Sequence, residues 1–508
     1  MDVDVVIVGA GSAGVALGTR LSQEPDRSVL LVEAGPDLPP NDPAHDLSTV
    51  SFALTDTDWA LRAEVTADRT LDYPQGKCVG GGSSVNGALA FRGAPEDFES
   101  WRSEGCPSWG WEQMLESFCR LEHDVDFGKT SPDHGGGGPV PVVRWSTREL
   151  TDVQVAFRES CLATGFPWTD DHNAPSSTGV GPLPMNRSGK QRMSTALTYL
   201  AQARSRPNLQ LWPGTRVLRV ELDGSRATGV TVERDGAVET VTAGEVVLSA
   251  GSLQSPALLW RSGIGPADRL TALGIRPVVD LPAVGANLHD HPGVFLFVAP
   301  GRSRSPFSEP QYQLGARYDS AKATAVNDMF LSMMSYWDLT GSPDFQAMLG
   351  MDSVVVLTCG VHQPESRGEV ALISADPTIP PAVHLNLLSE RRDTDRLVEG
   401  VRRCAAVAGH EVMADFVGDR LLFDGDIDDD AAVAGYVRAV VAPWYHPVGT
   451  CRMGPAGPDT VVGDDLRVHG VDRLRVVDAS IMPTIVRSPP NLTTIAIAEQ
   501  AAQLMGAG

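Results

Sequence analysis

Gly9, Gly11 and Gly14 stand in the stretch DVVIVGAGSAG (4–14), and Glu33 closes the next apolar run, LLVEAG. In such a spacing the first glycine permits a tight turn and the second lets backbone approach a pyrophosphate. The third lets a helix pack closely against the sheet. Glu33 follows Gly14 by 19 residues, where a carboxylate can accept ribose hydroxyls. The chemistry implied is binding of an adenine dinucleotide. The elements that must position these residues are also legible. Val5 to Val8 form a continuous apolar run, as expected of a buried parallel strand, and the helix after Gly9 would aim its N-terminus at the phosphates. On these residues alone, NAD and FAD are equally admissible.

The chain has 508 residues, 42% hydrophobic and 21% charged, which describes a globular protein large enough for two or three domains. A net charge of −23 with dispersed basic residues disfavours nucleic acid and anionic membrane surfaces as partners, and neither is expected. The seven cysteines are scattered and lack CxxC or Cys/His metal spacing, so no metal is expected and a reduced compartment is favoured. The first strand begins within a few residues of Met1, and the apolar runs are too short to span a bilayer. The expected location is the cytoplasm.

Further along, a Pro- and Asp-rich loop (36–46) precedes the glycine cluster GKCVGGGSSVN (76–86), and HGGGGP (134–139) reads as a turn or a lid over a substrate entrance. Residues 209–250 alternate apolar and polar, predicting an antiparallel meander that ends in the apolar strand VVLSAG. From 291 to 440 strands and helices mix. LRVVDAS (474–480) then reads as a strand, followed by the turn RSPPN and a terminal helix.

The cluster at 76–99, with Gly76, Lys77, Val79, Gly80, Gly81, Gly82, Ser83, Val85, Asn86, Ala90, Gly93 and Glu99, resembles the first signature of the glucose–methanol–choline (GMC) flavoprotein oxidoreductases. GSLQSPALLWRSGIG (251–265) resembles the second. Similar segments are VGANLHDH (284–291), SRGEVALISADP (366–377), YHPVGTCRMG (445–454) and VVDASIMP (476–483), so the resemblance covers nearly the whole chain. It implies an α/β (α+β) fold: a Rossmann-like FAD domain with an inserted substrate domain built on an antiparallel sheet flanked by helices. The FAD domain would comprise 1–145, 191–290 and 441–508, and the substrate domain 146–190 and 291–440.

By the same resemblance FAD lies extended, with its pyrophosphate on Gly9, Gly11, Ser12, Ala13 and Gly14 and its ribose on Glu33 beside Ala34. The backbone of Val217 would hold the adenine edge, and Ala250 and Gly251 the adenosine end. Gly80, Asn86, Gly87, Ala88 and Leu89 would line the isoalloxazine, which Tyr445 borders, and Val79 and Ser83 would bind the cofactor within the same cluster. Asp478 and Ala479 would complete the contacts. Some members tether FAD through a histidine where this chain has Val85, so the cofactor is expected to be non-covalent.

His446 matches the family's catalytic histidine and Asn491, 45 residues on, the position filled by His or Asn. Oxidising an alcohol requires removing the O–H proton as the α-hydride leaves, a task for neutral imidazole. Asn491 offers a donor and an acceptor to orient the alcohol oxygen, and local sequence also makes it a helix N-cap. The backbone amides of Leu492 and Thr493, at the helix start, would face the charge developing on the flavin. The expected activity is oxidation of an alcohol to an aldehyde or ketone, with molecular oxygen or another acceptor taking the electrons. The alternative is a hydroxynitrile-lyase-type reaction on the same scaffold. Phe330, Met333, Met334, Tyr336, Trp337 and Met348 read as pocket or core, favouring a moderately apolar or aromatic alcohol. Trp444, before the base, is expected to limit oxygen access. His289 and His291 read as structural.

Overall fold

The computed structural model describes residues 2–47, 57–423 and 425–507. The first apolar run is strand Asp2–Val8, and Gly9 turns it into helix Ser12–Leu21. Gly9 has φ +99°, and a Cβ on Gly14 would lie 1.9 Å from the Gly9 carbonyl oxygen. Only a glycine pair lets the helix sit this close to the turn. Val29–Val32 and then Leu209–Trp212 extend the sheet in parallel on one side. On the other side runs Ala237–Leu248, which pairs with three strands of this one sheet. Its early residues pair antiparallel with Arg226–Arg234, and its later ones run parallel to Asp2–Val8 and to Leu474–Val476. The expected meander is therefore present from Thr215–Asp223 onward, whereas Leu209–Trp212 belongs to the parallel edge. Apolar alternation fixes a strand but not its partner.

The first and last helices share a task. Ser12 Oγ donates to Asn491 Oδ1 (2.7 Å), and one helical stretch further on Arg20 Nε donates to buried Glu499 (2.9 Å), which also accepts the Tyr199 hydroxyl. Helices Ser12–Leu21 and Asn491–Leu504 thus run side by side in the same direction with their N-termini together.

A second, wholly antiparallel sheet has the order Val417–Arg420, Pro292–Pro300, Ser353–Val361, Met329–Asp338, Leu314–Tyr318 and Gly179–Pro182. Leu331, Met333, Leu357 and Cys359 face a core shared with helices Asp152–Ala163, Arg391–Ala408 and Asp430–Val440. Alternate residues face the other way, toward the first sheet. Strands Leu61–Thr66 and Arg69–Tyr73 also join this second core, pairing through a small sheet with Ala382–His384.

The HGGGGP turn does not lie over the cavity. His134 is buried and places Nδ1 3.0 Å from Glu122 and 3.1 Å from Asp124, and Nε2 2.9 Å from Asp171. Burial alone would lower its pKa, but these hydrogen bonds outweigh it and hold the imidazole at about 10. Arg92 pairs with Glu122 and Arg144 with Asp124 and Asp171, so three cations answer three carboxylates. The Glu122–Asp124–His134 grouping has metal-ligand composition, yet an imidazolium and two guanidiniums already pair with its carboxylates. The loop is a charge-paired staple.

Candidate active site

A single cavity of about 420 Å³ runs between the two sheets, from Glu33 to His446. At one end it is lined by the bare turn Gly9, Gly11, Ser12 and Ala13 and by Glu33, Ala34 and Val217. Asn86, Gly87 and Leu89 and then Ala250, Gly251, Asp478 and Ala479 continue the wall, and Tyr445, His446 and Asn491 close the other end. Gly14, Val79, Gly80, Ser83, Ala88, Leu492 and Thr493 are absent from that lining and support it from behind. Ser83, for example, turns inward to donate to the Gly80 carbonyl (2.6 Å), and Leu492 is buried in its helix.

Three features fit this cavity to an anionic dinucleotide. The N-termini of helices Ser12–Leu21, Gly251–Arg261 and Asn491–Leu504 all reach it, bringing three positive dipole ends to one space. Gly11 and Gly81 approach so closely that a Cβ on Gly81 would lie 2.8 Å from the Gly11 Cα, leaving a channel walled by bare backbone. Glu33 is buried, accepts the Ala10 and Gly35 amides (3.0 and 2.9 Å) and still borders the cavity. Burial raises its pKa to about 7 despite those amides and Lys77. Asp478 is anchored rather than free, accepting Gly251 N–H (2.9 Å) and Ser255 Oγ–H (2.6 Å), so it holds the second helix N-terminus in place.

The position of His446 follows from a broken ladder. Segments 289–293 and 442–448 pair antiparallel: Gly293 with Ala442, the Trp444 amide with the His291 carbonyl (3.0 Å), and His289 with Val448. Between those points Tyr445 takes φ +62°, and the His446 amide donates to the Asp290 carboxylate (3.0 Å) in place of a backbone carbonyl. A left-handed tyrosine is strained backbone, of the kind concentrated at functional sites. The Asp290 carboxyl is raised to about 7 by burial, against the opposing pull of the Tyr73 hydroxyl that donates to it.

The hydrogen-bond pattern assigns the proton of His446 to one of its two nitrogens. His291 Nε2 lies 3.1 Å from two carbonyl oxygens, those of His362 and Val486, so it must be the protonated nitrogen. Its Nδ1 is then a bare acceptor, 2.9 Å from His446 Nδ1, which must therefore donate. The lone pair of His446 is left on Nε2. Burial, and then the neighbouring His291, push the His446 pKa well below the ordinary imidazole value, so the ring is neutral. Asn491 is fixed in a similar way. Its Oδ1 is taken by Ser12, which leaves the amide N–H groups as donors; the residue is the first of its helix and makes no N-cap bond.

Beyond His446 the wall is aromatic. Trp444 lies against Gly293 and Gly360, which face each other in register; a Cβ on either would fall 1.9 or 2.4 Å from the indole. Phe330 stacks on His362 (5.1 Å, 14°). His362 is fully buried, and neither of its ring nitrogens makes a hydrogen bond of ordinary geometry among the described residues, although the Arg487 backbone lies near. Of the Met- and aromatic-rich stretch, only Phe330 and Met334 reach the cavity. Met333 is core, the Tyr336 hydroxyl ties the Phe307 and Glu309 carbonyls, Trp337 packs on Phe295 and Phe297, and Met348 is exposed. Sequence reasoning missed His291 and His362; the histidines of NLHDHP were the available signal for the first.

Residues 3–293 and 364–498 each match a GMC oxidoreductase family profile. The chain therefore belongs to the GMC oxidoreductases and is an FAD-dependent enzyme of alcohol oxidation. It is 37% identical to 5-(hydroxymethyl)furfural oxidase of Methylovorus sp. (strain MP688), covering 98% of both chains. It is 32% identical to an oxygen-dependent choline dehydrogenase of Vibrio vulnificus (strain YJ016), covering 99% of this chain and 94% of that one. The crystal structure of pyridoxine 4-oxidase from Mesorbium loti superposes with a TM-score of 0.90 at 32% identity, covering 99% and 98%. Among the described residues no helix is long and apolar enough to cross a membrane.

Proposed function

We propose that this chain oxidises the hydroxymethyl group of a ring-bearing primary alcohol, with His446 as general base and Asn491 as the donor that orients the alcohol oxygen. The observation that carries it is the His291–His446 pair, which leaves a neutral imidazole with its lone pair on Nε2. The alcohol O–H proton passes to His446 Nε2, the C–O bond becomes a carbonyl, and the carbinol hydrogen leaves with its electron pair. FAD supplies the acceptor for that hydride. Asn491 N–H groups steady the oxygen as its charge rises, and the helix N-termini add positive potential.

The cofactor contacts follow the cavity: Gly9, Gly11, Ser12 and Ala13 for the pyrophosphate, Glu33 for the ribose, Val217 for the adenine and Asn86–Leu89 for the isoalloxazine. Val85 offers no nucleophile and Cys78 is buried outside the lining, which supports non-covalent FAD. The two cores support the division into an FAD part and an inserted substrate part, with 61–73 packed on the latter. The aromatic wall and the relatives named for hydroxymethylfurfural and pyridoxine both favour a flat ring substrate.

The pH dependence tests the base. Because His446 is held neutral, kcat/KM stays level as pH falls through about 6.5, the ordinary imidazole value, and drops only below it. Asp290→Asn, which removes the buried carboxyl raised to about 7, leaves the profile level over the same range. An acid limb near 6.5 in that variant contradicts the assignment.

A further inference from the structure

Three strands of the antiparallel sheet present one continuous face to the cavity, and its residues lie in cross-strand rows. Gly293, Gly360 and Phe330 form one row, and Phe295, Thr358 and Ser332 form the next. The first row seats the Trp444 indole, whose centroid is 6.4 Å from that of His446. The second lies one strand repeat, about 7 Å, further from the base. Within it two aromatic or aliphatic neighbours would be the economical choice; instead two hydroxyls stand side by side.

Thr358 is 8% exposed, its Oγ1 has no hydrogen-bond partner among the described residues, and it lines the cavity with Ser332. A buried hydroxyl without a partner costs more than a valine in the same space, so its presence calls for a ligand group. Phe295 opposite Thr358 and Phe330 beside Ser332 add two aromatic side chains to the same stretch of cavity wall. The arrangement suits an aromatic body with one polar substituent at its end.

We propose that Thr358 and Ser332 form a second polar subsite, which reads a hydroxyl or carbonyl at the far end of an extended aryl alcohol whose carbinol lies at His446. This rests on alcohol oxidation in the same cavity. It adds that the substrate is longer than one substituted ring, because the subsite lies one strand repeat, about 7 Å, beyond the row that seats the indole.

The test compares 4-hydroxycinnamyl with 4-methylcinnamyl alcohol on the FAD-loaded wild type, Thr358→Val and Ser332→Ala. The wild type favours the hydroxylated compound by about tenfold in kcat/KM. In Thr358→Val, which keeps the side-chain shape, that ratio falls toward one, and Ser332→Ala lowers it in the same direction. The shorter pair, 4-hydroxybenzyl and 4-methylbenzyl alcohol, shows no such change. A wild-type ratio near one, or a ratio that persists in Thr358→Val, overturns the subsite. The same ratio is read as Kd from flavin absorbance using 4-propenylphenol and 4-propenyltoluene, which lack the carbinol. If no alcohol reduces the flavin, the alcohol-oxidation reading fails, and these two affinities still decide the subsite.

Discussion

Replacing His446 by alanine leaves a folded, FAD-containing protein whose flavin is reduced by alcohol about 10²–10⁴ times more slowly. The size follows from the work lost. Without an acceptor in place, the hydroxyl must give its proton to water while the carbinol hydrogen departs with two electrons. No other neutral base takes over. His291 Nδ1 keeps its lone pair but belongs to a ring whose centroid lies 5.1 Å behind that of the lost base, and the Asn491 side-chain oxygen is taken by Ser12. The FAD-binding end is untouched, because the glycine turn and Glu33 lie at the opposite end of the cavity. Stopped-flow flavin absorbance measures the rate, and the visible spectrum of the purified variant reports the bound cofactor. Loss of FAD from the variant would show that His446 holds the cofactor's site together instead.

The second large effect lies at His291. His291→Phe keeps the ring volume but removes both the acceptor for His446 Nδ1–H and the donor to the His362 and Val486 carbonyls. His446 is then free to place its proton on Nε2, the form that cannot accept one from substrate. We expect kcat to fall about 10- to 100-fold with FAD retained. His291→Gln supplies an amide oxygen for Nδ1–H and an amide N–H for the carbonyls, so it restores part of the rate. A side chain that only fills space would be served better by phenylalanine than by glutamine. That ordering separates positioning from packing.

Much of this was legible in the sequence because the chemistry uses glycine where backbone must approach backbone. Gly9, Gly14 and Gly81 sit where a Cβ would strike carbonyl or Cα atoms, so their identity is dictated locally. Glu33 and the strand before Gly9 follow from spacing and apolar runs. What could not be read is pairing at long range. His291 and His446 are 155 residues apart, and nothing local distinguishes a histidine that orients a base from one that fills a core. Asn491 has an N-cap residue's composition, yet Ser12 takes its side-chain oxygen across 479 residues of sequence. His134 reads as the start of a glycine turn, and only the fold reveals the carboxylates of Glu122, Asp124 and Asp171 around it. Phe330, Met333, Met334, Tyr336, Trp337 and Met348 are all apolar or aromatic in type, so strand alternation, not composition, sends Phe330 to the cavity and Met333 to the core.

In the proposed reaction an alcohol's carbinol hydrogen leaves as hydride while His446 takes the proton. Anaerobic flavin reduction by a ring-bearing primary alcohol, with and without deuterium at the carbinol carbon, tests it most directly. The flavin absorbance is expected to bleach, several-fold more slowly on deuteration and hardly at all in His446→Ala. Turnover of substrate with the flavin band unchanged would contradict it and point to a reaction in which the flavin is not reduced.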